Sequence, residues 1–259
     1  MQKPLIIAVV GKGGVGKTVI TSLLAKLISR DHNFKMLLID ADPTHPHLSY
    51  MVNLIPKTSL ETIRIDVINK TLDKEKSIQE LAEIIDFQVY NAITESKDYS
   101  LISIGQPEDP GCFCPSNTLL RKVIESISTD FDIILIDCEA GLEQINRMVI
   151  EAVDIILIVS DLSMRSVETA NTLRKSAKKF TNYKKLGVIL NRVKGNVDLI
   201  VNKLEELNLP LLARIPEDLN ILDFDIQGKA IIDLPNNSKS IESIKFLAEK
   251  ILDSNFLIT

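Results

Sequence analysis

Residues 11–18 read Gly-Lys-Gly-Gly-Val-Gly-Lys-Thr and stand between an apolar run, Leu5–Val10, and an amphipathic stretch, Thr18–Ser29. No other feature constrains the chain as tightly. Glycines at 11, 13, 14 and 16 let the backbone curl until successive N–H groups face one point, where a phosphate oxygen can accept from them. The helix that follows adds its positive end. In a loop of this kind the lysine at 17 reaches the β- and γ-phosphates and the hydroxyl at 18 faces Mg²⁺. Strand, phosphate loop and helix are therefore expected in that order.

The rest of the chain repeats the alternation. Leu5–Val10, Met36–Ile39, Leu101–Ile104, Ile133–Ile136, Ile155–Val159, Gly187–Leu190 and Leu211–Ile215 are apolar runs without polar alternation. Strands covered on both faces look like this. Amphipathic stretches fall between them, at Thr18–Ser29, Ile78–Thr94, Thr118–Ser128, Arg165–Phe180, Val197–Leu207 and Ser240–Leu252. The pattern predicts an α/β fold with a mostly parallel central sheet and helices on both faces. No repeat or linker interrupts it, so one domain over residues 1–259 is expected. Residues 54–77 fit no pattern: Thr62–Ile68 alternates like a strand while its neighbours look helical.

Composition narrows the partners. A net charge of −5 argues against a protein whose main ligand is nucleic acid, which needs a basic field. The cluster Arg174, Lys175, Lys178, Lys179, Lys184 and Lys185 reads as the wet face of a helix. The first apolar run is too short to span a bilayer and no cleavage site follows it, and the C-terminal segment lacks Lys and Arg at its end. A cytoplasmic protein with no membrane partner is expected. Three cysteines do not suggest a disulfide framework.

Carboxylates follow two of the strands. Met36–Ile39 ends in Asp40-Ala41-Asp42-Pro43, and Ile133–Ile136 ends in Asp137, then Cys138-Glu139-Ala140-Gly141. Ligands of such sheets bind at the carboxyl ends of strands. Asp137 is expected to hold Mg²⁺, and a loop ending at Gly141 near the γ-phosphate would differ between ATP and ADP states. Read only as helix formers, Asp40 and Asp42 would be caps.

The second lysine of the loop, Lys12, carries a resemblance. Gly-Lys-Gly-Gly-Val-Gly-Lys-Thr is similar to the deviant Walker A loop of the dimerising ATPases that include MinD, ParA and the nitrogenase iron protein. The resemblance implies an ATPase whose Lys12 crosses a two-fold interface to the partner's nucleotide, so that charge is neutralised in the transition state only when the dimer closes. It implies catalytic roles for Lys12, Lys17 and Asp42, the last orienting the attacking water, with Asp40 near the Mg²⁺ shell. Gly11, Lys12, Gly13, Gly14, Val15, Gly16, Lys17 and Thr18 would bind the phosphates. Asn191, Pro216 and Glu217, at the ends of two later strands, would lie at the adenine; as a bare sequence feature Asn191 is equally a turn residue.

Residues 110–117 read Pro-Gly-Cys-Phe-Cys-Pro-Ser-Asn. Cys112 and Cys114 face one way in an extended segment, and two thiolates are half of a four-sulfur site that a two-fold axis would complete. With the deviant loop, this Cys-x-Cys resembles the CooC-type nickel-insertion ATPases of carbon monoxide dehydrogenase maturation. That implies Ni²⁺ or Zn²⁺ shared by a homodimer and a client metalloenzyme. A positioning ATPase of the MinD/ParA kind and an iron–sulfur scaffold are the alternatives. His45 and His47, in Thr-His-Pro-His, have His-x-His spacing, and Cys138 reads as a buried apolar residue.

Overall fold

The apolar runs do form strands, and most are buried along their whole length. The computed structural model describes residues 3–31, 34–43, 46–63, 65–66, 87–106, 127, 130–139 and 153–253. The strands are β1 (Leu5–Gly11), β2 (Met36–Ala41), β3 (Thr94–Glu95), β4 (Ser100–Ser103), β5 (Ile133–Cys138), β6 (Ile155–Ser160), β7 (Lys185–Val193) and β8 (Leu211–Pro216). The helices are α1 (Lys17–Asp31), α2 (Leu48–Met51), α3 (Met164–Phe180), α4 (Asp198–Glu206), α5 (Leu219–Ile226) and α6 (Lys239–Leu252), with a 3₁₀ turn at Ile231–Asp233.

These strands make one eight-stranded sheet in the order β3-β4-β2-β5-β1-β6-β7-β8. All pairings are parallel except the short β3–β4 edge. Side chains alternate across it. Ile6, Ala8 and Val10 of β1 join Val167 and Leu173 of α3 and Ile200 and Leu204 of α4 on one face. Ile7 and Val9 join Ile20, Leu23 and Leu24 of α1 and Ile244, Leu247 and Ile251 of α6 on the other. Each of the Ile, Leu and Val side chains contributes roughly 1.5–3 kcal/mol by leaving water. Two covered faces explain why the strands carry no polar alternation.

The topology matters for function at β1. Its chain moves one way through α1 to β2, whereas β6, β7 and β8 extend the sheet the other way. The carboxyl end of β1 is thus a switch point, where such sheets open a crevice.

Several described elements differ from expectation, the short α2 and the 3₁₀ turn at Ile231–Asp233 among them. β3 was not anticipated, being two residues long and on an edge. Helix α5 was not anticipated either, because Leu-Asn-Ile-Leu-Asp-Phe-Asp-Ile buries no residue and carries no one-sided stripe. Within the segment that fitted no pattern, residues 60–63 are helical. Of the expected helix 78–94, residues 87–92 are helical and 78–86 lie outside the described residues; of 118–128 only Ile127 is described. The basic cluster is not only a wet face: Lys184 pairs with Asp154 at 2.9 Å, and Asp154 also accepts the Ile6 N–H at 2.9 Å, tying β6 to β1. Among the described residues no helix is long and apolar enough to cross a membrane.

Candidate nucleotide site

The loop leaves β1 under tight packing. Gly11, with φ +150°, has no room for a side chain: a Cβ there would sit 2.3 Å from the Val159 carbonyl oxygen of β6. Gly14 and Gly16 have φ of +78° and +93°, in the range that glycine reaches without strain. A Cβ on Gly16 would lie 2.4 Å from Asn191 Nδ2. The loop then enters α1 at Lys17.

The two lysines of the loop differ. Lys17 is 8% exposed, and its Nζ donates to the Lys12 carbonyl oxygen at 3.4 Å. Lys12 is exposed at the loop tip. The side chain folded into the loop is the one at 17, and the one turned outward is the one at 12.

Carboxylates line up beside the loop because β2 and β5 are in register. Asp40 is paired with Asp137, and Val9 of β1 stands opposite Asp137 on the other side. Asp137 accepts from the Thr18 hydroxyl and from Thr21 Oγ1, the latter at 3.3 Å, and burial pushes its carboxyl up to about 6 against those donors and the Lys17 charge. Asp40 accepts the N–H groups of Asp42 at 3.3 Å and Leu48 at 3.1 Å. Burial first, and the Asp137 charge second, push it up to about 8. Thr18, Asp137 and the nearby Asp40 present only oxygen donors, the set a hard cation such as Mg²⁺ takes. Cys138 is 3% exposed and burial pushes its thiol far up, so it is the inert small residue its position suggests.

A cavity of about 820 Å³ opens over the loop. Gly13, Gly14, Gly16, Lys17 and Thr18 form one wall, with Asp42, His47 and Glu139 beside them. A second wall adjoins the loop at Asn191 and Arg192 and continues through Pro216, Glu217, Asp218 and α5. The expected residues Asp42, Asn191, Pro216 and Glu217 therefore line one space with the loop. Asn191 has a task beyond lining it: its amide donates to the Val15 carbonyl oxygen at 2.8 Å, so that N–H is committed to the loop. Glu217 pairs with Lys194. Gly141, Cys112, Cys114 and His45 lie outside the described residues.

Residues absent from the sequence reading complete the second wall. Asp218 caps α5 through the Asn220 N–H and accepts from Ser238 Oγ at 2.6 Å and from the Ser240 N–H and hydroxyl at 2.9 and 2.8 Å. Leu219, Leu222 and Ile231 supply apolar surface. The Pro-Glu-Asp run at the end of β8 was a signal for the cap, but its partners are about twenty residues on.

A glycine loop at the switch point of a parallel sheet, with a buried lysine and facing strand-end carboxylates, defines a P-loop nucleotide-binding protein. Residues 6–232 match the CobQ/CobB/MinD/ParA nucleotide binding domain, and the chain belongs to that family, as a P-loop ATPase of the MinD/ParA kind. An uncharacterized ATP-binding protein of Methanocaldococcus jannaschii is 32% identical over 256 residues, covering 97% of this chain and all of that one. The carbon monoxide dehydrogenase accessory protein CooC of Rhodospirillum rubrum is 30% identical, covering 88% of this chain and 89% of its own. The septum site-determining protein MinD of Pyrococcus horikoshii, solved with Mg-ADP, superposes with a TM-score of 0.71 at 22% identity over 99% of both chains, a likeness of fold.

Proposed function

We propose that this chain is a cytoplasmic, homodimerising ATPase that carries Ni²⁺ or Zn²⁺ on Cys112 and Cys114 and delivers it to a client metalloenzyme of the carbon monoxide dehydrogenase type. The observation that carries the dimeric reading is the division of labour between the lysines: Lys17 is folded into its own loop while Lys12 is exposed at the tip. An outward lysine beside a phosphate site suits a second chain's nucleotide. The likeness to the Rhodospirillum rubrum accessory protein supports the client. The cysteines enter from sequence alone.

Within this reading the loop N–H groups and Lys17 bind the phosphates. Thr18 and Asp137 would hold Mg²⁺, with Asp40 beside them, and the ion would neutralise phosphate charge. Asp42 orients a water. The water oxygen bonds to the γ-phosphorus, and the β–γ bridging oxygen leaves on ADP with the bonding pair. The proton of the water passes to the released phosphate. Lys12 from the second chain lowers the barrier only in the closed dimer, and the metal and ATP favour that dimer reciprocally.

The test is light scattering after size exclusion, with ATP and Ni²⁺, combined with metal analysis. The expected result is a dimer holding one metal per two chains, with the metal lost in Cys112→Ala and Cys114→Ala. In Lys12→Ala nucleotide binding should persist while turnover falls by about 10³-fold. A monomer under every condition, or a metal site unmoved by either cysteine change, overturns the proposal. ATP-dependent pelleting with liposomes or DNA would replace it with a positioning ATPase, and a coloured, iron-containing dimer after anaerobic purification with an iron–sulfur scaffold.

A further inference from the structure

We propose that Arg192 is a positioning residue which, together with Asn191, holds the phosphate loop in its binding shape before the nucleotide arrives. The inference rests on nucleotide binding at residues 11–18 and is independent of metal delivery.

Consecutive residues of a regular strand send their side chains to opposite faces. Asn191 and Arg192 of β7 do not behave so. Arg192 has φ +56°, a left-handed conformation that a residue with a Cβ adopts only at an energetic cost, and the β7–β8 register shifts between Leu190 and Val193. Both side chains then reach one loop on the same side of the strand. Asn191 Nδ2 donates to the Val15 carbonyl oxygen at 2.8 Å, and Arg192 Nη1 donates to the Gly14 carbonyl oxygen at 3.2 Å. Two neighbouring side chains thus take two neighbouring carbonyls.

Those two carbonyls belong to the part of the loop that must present its N–H groups to phosphate. A peptide is planar, so fixing its C=O toward β7 fixes the N–H of the next residue the other way. Bonds from Arg192 and Asn191 therefore orient the N–H groups of Val15 and Gly16. The contact is close enough that Gly16 has no room for a Cβ beside the Asn191 amide. Backbone strain that persists at a site edge, and that serves two aligned donors, is a device for preorganisation. Arg192 does this through the loop and not through the substrate.

A preorganising bond shows in nucleotide affinity more than in the chemical step. The usual net worth of one hydrogen bond converts to about a fivefold change. Steady-state kinetics and equilibrium binding of ATP, ADP and adenosine to wild type, Arg192→Ala, Arg192→Lys and Arg192→Gly separate the possibilities. Expected in Arg192→Ala are a KM for ATP and a Kd for ADP raised about fivefold, a kcat within about twofold and unchanged adenosine binding. Arg192→Lys, which keeps a donor, should recover most of the affinity. Arg192→Gly should bind as weakly as Arg192→Ala yet melt at or above the wild-type temperature, since glycine accepts φ +56° freely. An unchanged KM in Arg192→Ala, wild-type affinity in Arg192→Gly, or a fall in kcat at constant KM would each overturn the proposal. Failure of the wild type itself to bind ADP would instead sink the reading of residues 11–18.

Discussion

One wall of the cavity comes from a single stretch of chain between Gly13 and Val19, whereas the second draws Asn191 and Arg192 from β7, Pro216 from β8, Leu219 and Leu222 from α5, and Ile231 from the turn beyond. The first wall takes its shape from backbone: positive φ at Gly14 and Gly16, and the packing of Gly11 on β6. The second has few such constraints and is held by polar side chains that cross between distant segments. Asp218 ties the end of β8 to the start of α6, and Lys26 of α1 donates to the carbonyls of Ile232, at 2.8 Å, and Leu234. A local wall should therefore fail through single glycines, and an assembled wall through the loss of a hub.

The largest effect is expected at Gly16. Gly16→Ala places a Cβ 2.4 Å from Asn191 Nδ2 at a φ of +93°, whereas Gly14→Ala at +78° meets no atom within 4 Å. Strain plus a displaced tether of about 3 kcal/mol corresponds to a loss of about a hundredfold in ADP affinity. Gly14→Ala should lose about tenfold or less, from the dihedral alone. Adding Asn191→Ala to Gly16→Ala removes the contact but leaves the dihedral, so it should recover only part. Calorimetric titration with ADP measures all three. Equal losses at positions 14 and 16 would show that the tether from β7 matters less than the dihedrals.

The same contrast explains what could be read from the sequence. Gly11–Thr18 was legible because eight consecutive residues carry both the geometry and the chemistry. Asp40 and Asp137 were legible because each ends an apolar run, with Asp42 two residues beyond Asp40, and register then brings Asp40 and Asp137 together. The strands other than the two-residue edge β3 were legible for the same reason, as apolar runs. Of the second wall only Asn191, Pro216 and Glu217 were expected, and those through the resemblance; the rest was not legible. Nothing near Arg192 in the chain signals a left-handed turn in a strand, since Arg-Val carries no glycine or proline. Asp218 looks like any helix cap until Ser238 and Ser240 are brought to it. Lys26 sits in α1 among apolar neighbours at 2% exposure, with carbonyl partners some two hundred residues away. Periodicity finds buried faces, but it cannot find a polar partner that only the tertiary fold supplies.

Asp218 comes next in size. Its carboxylate, 7% exposed, accepts four hydrogen bonds, and its removal strands the donors of Ser238 and Ser240 in a buried place. Asp218→Ala should lower unfolding stability by about 2 kcal/mol in urea denaturation, and Asp218→Asn by about half of that. Burial pushes this carboxyl up, but the Ser238, Ser240 and Asn220 donors outweigh it and hold it below the usual carboxylate range. A depressed folded value stabilises above the unfolded one, near pH 3.9, and the gain is lost as pH falls through the folded value. The stability gap between wild type and Asp218→Asn should therefore be flat above about pH 5 and narrow below about pH 4. A gap independent of pH down to 3 would show that the hub works by shape alone, which would erase the distinction drawn between the walls.

The smallest effect is expected at Lys26, which joins α1, the helix after the loop, to the turn that carries Ile231. Its ammonium is anchored on the Ile232 and Leu234 carbonyls, yet burial, and then the charge of Arg30, lower its pKa from 10.5 to about 8, against the opposing charge of Asp233. A lysine with a depressed folded value holds fewer protons folded than unfolded between about pH 8 and 10.5, so stability rises with pH across that window. Below it, both states are charged and the burial penalty is present in full. Lys26→Met removes the titration together with the two bonds to the turn. Comparing the two proteins cancels the other lysines and tyrosines, which titrate in the same range. The wild-type advantage over Lys26→Met should grow from pH 8 to pH 10, and the variant should show a raised KM for ATP through the loosened Ile231 side of the cavity. If stability changes in Lys26→Met but KM does not, the clamp between α1 and the turn holds the fold without shaping the site. The second wall would then depend on β7 and Asp218 alone.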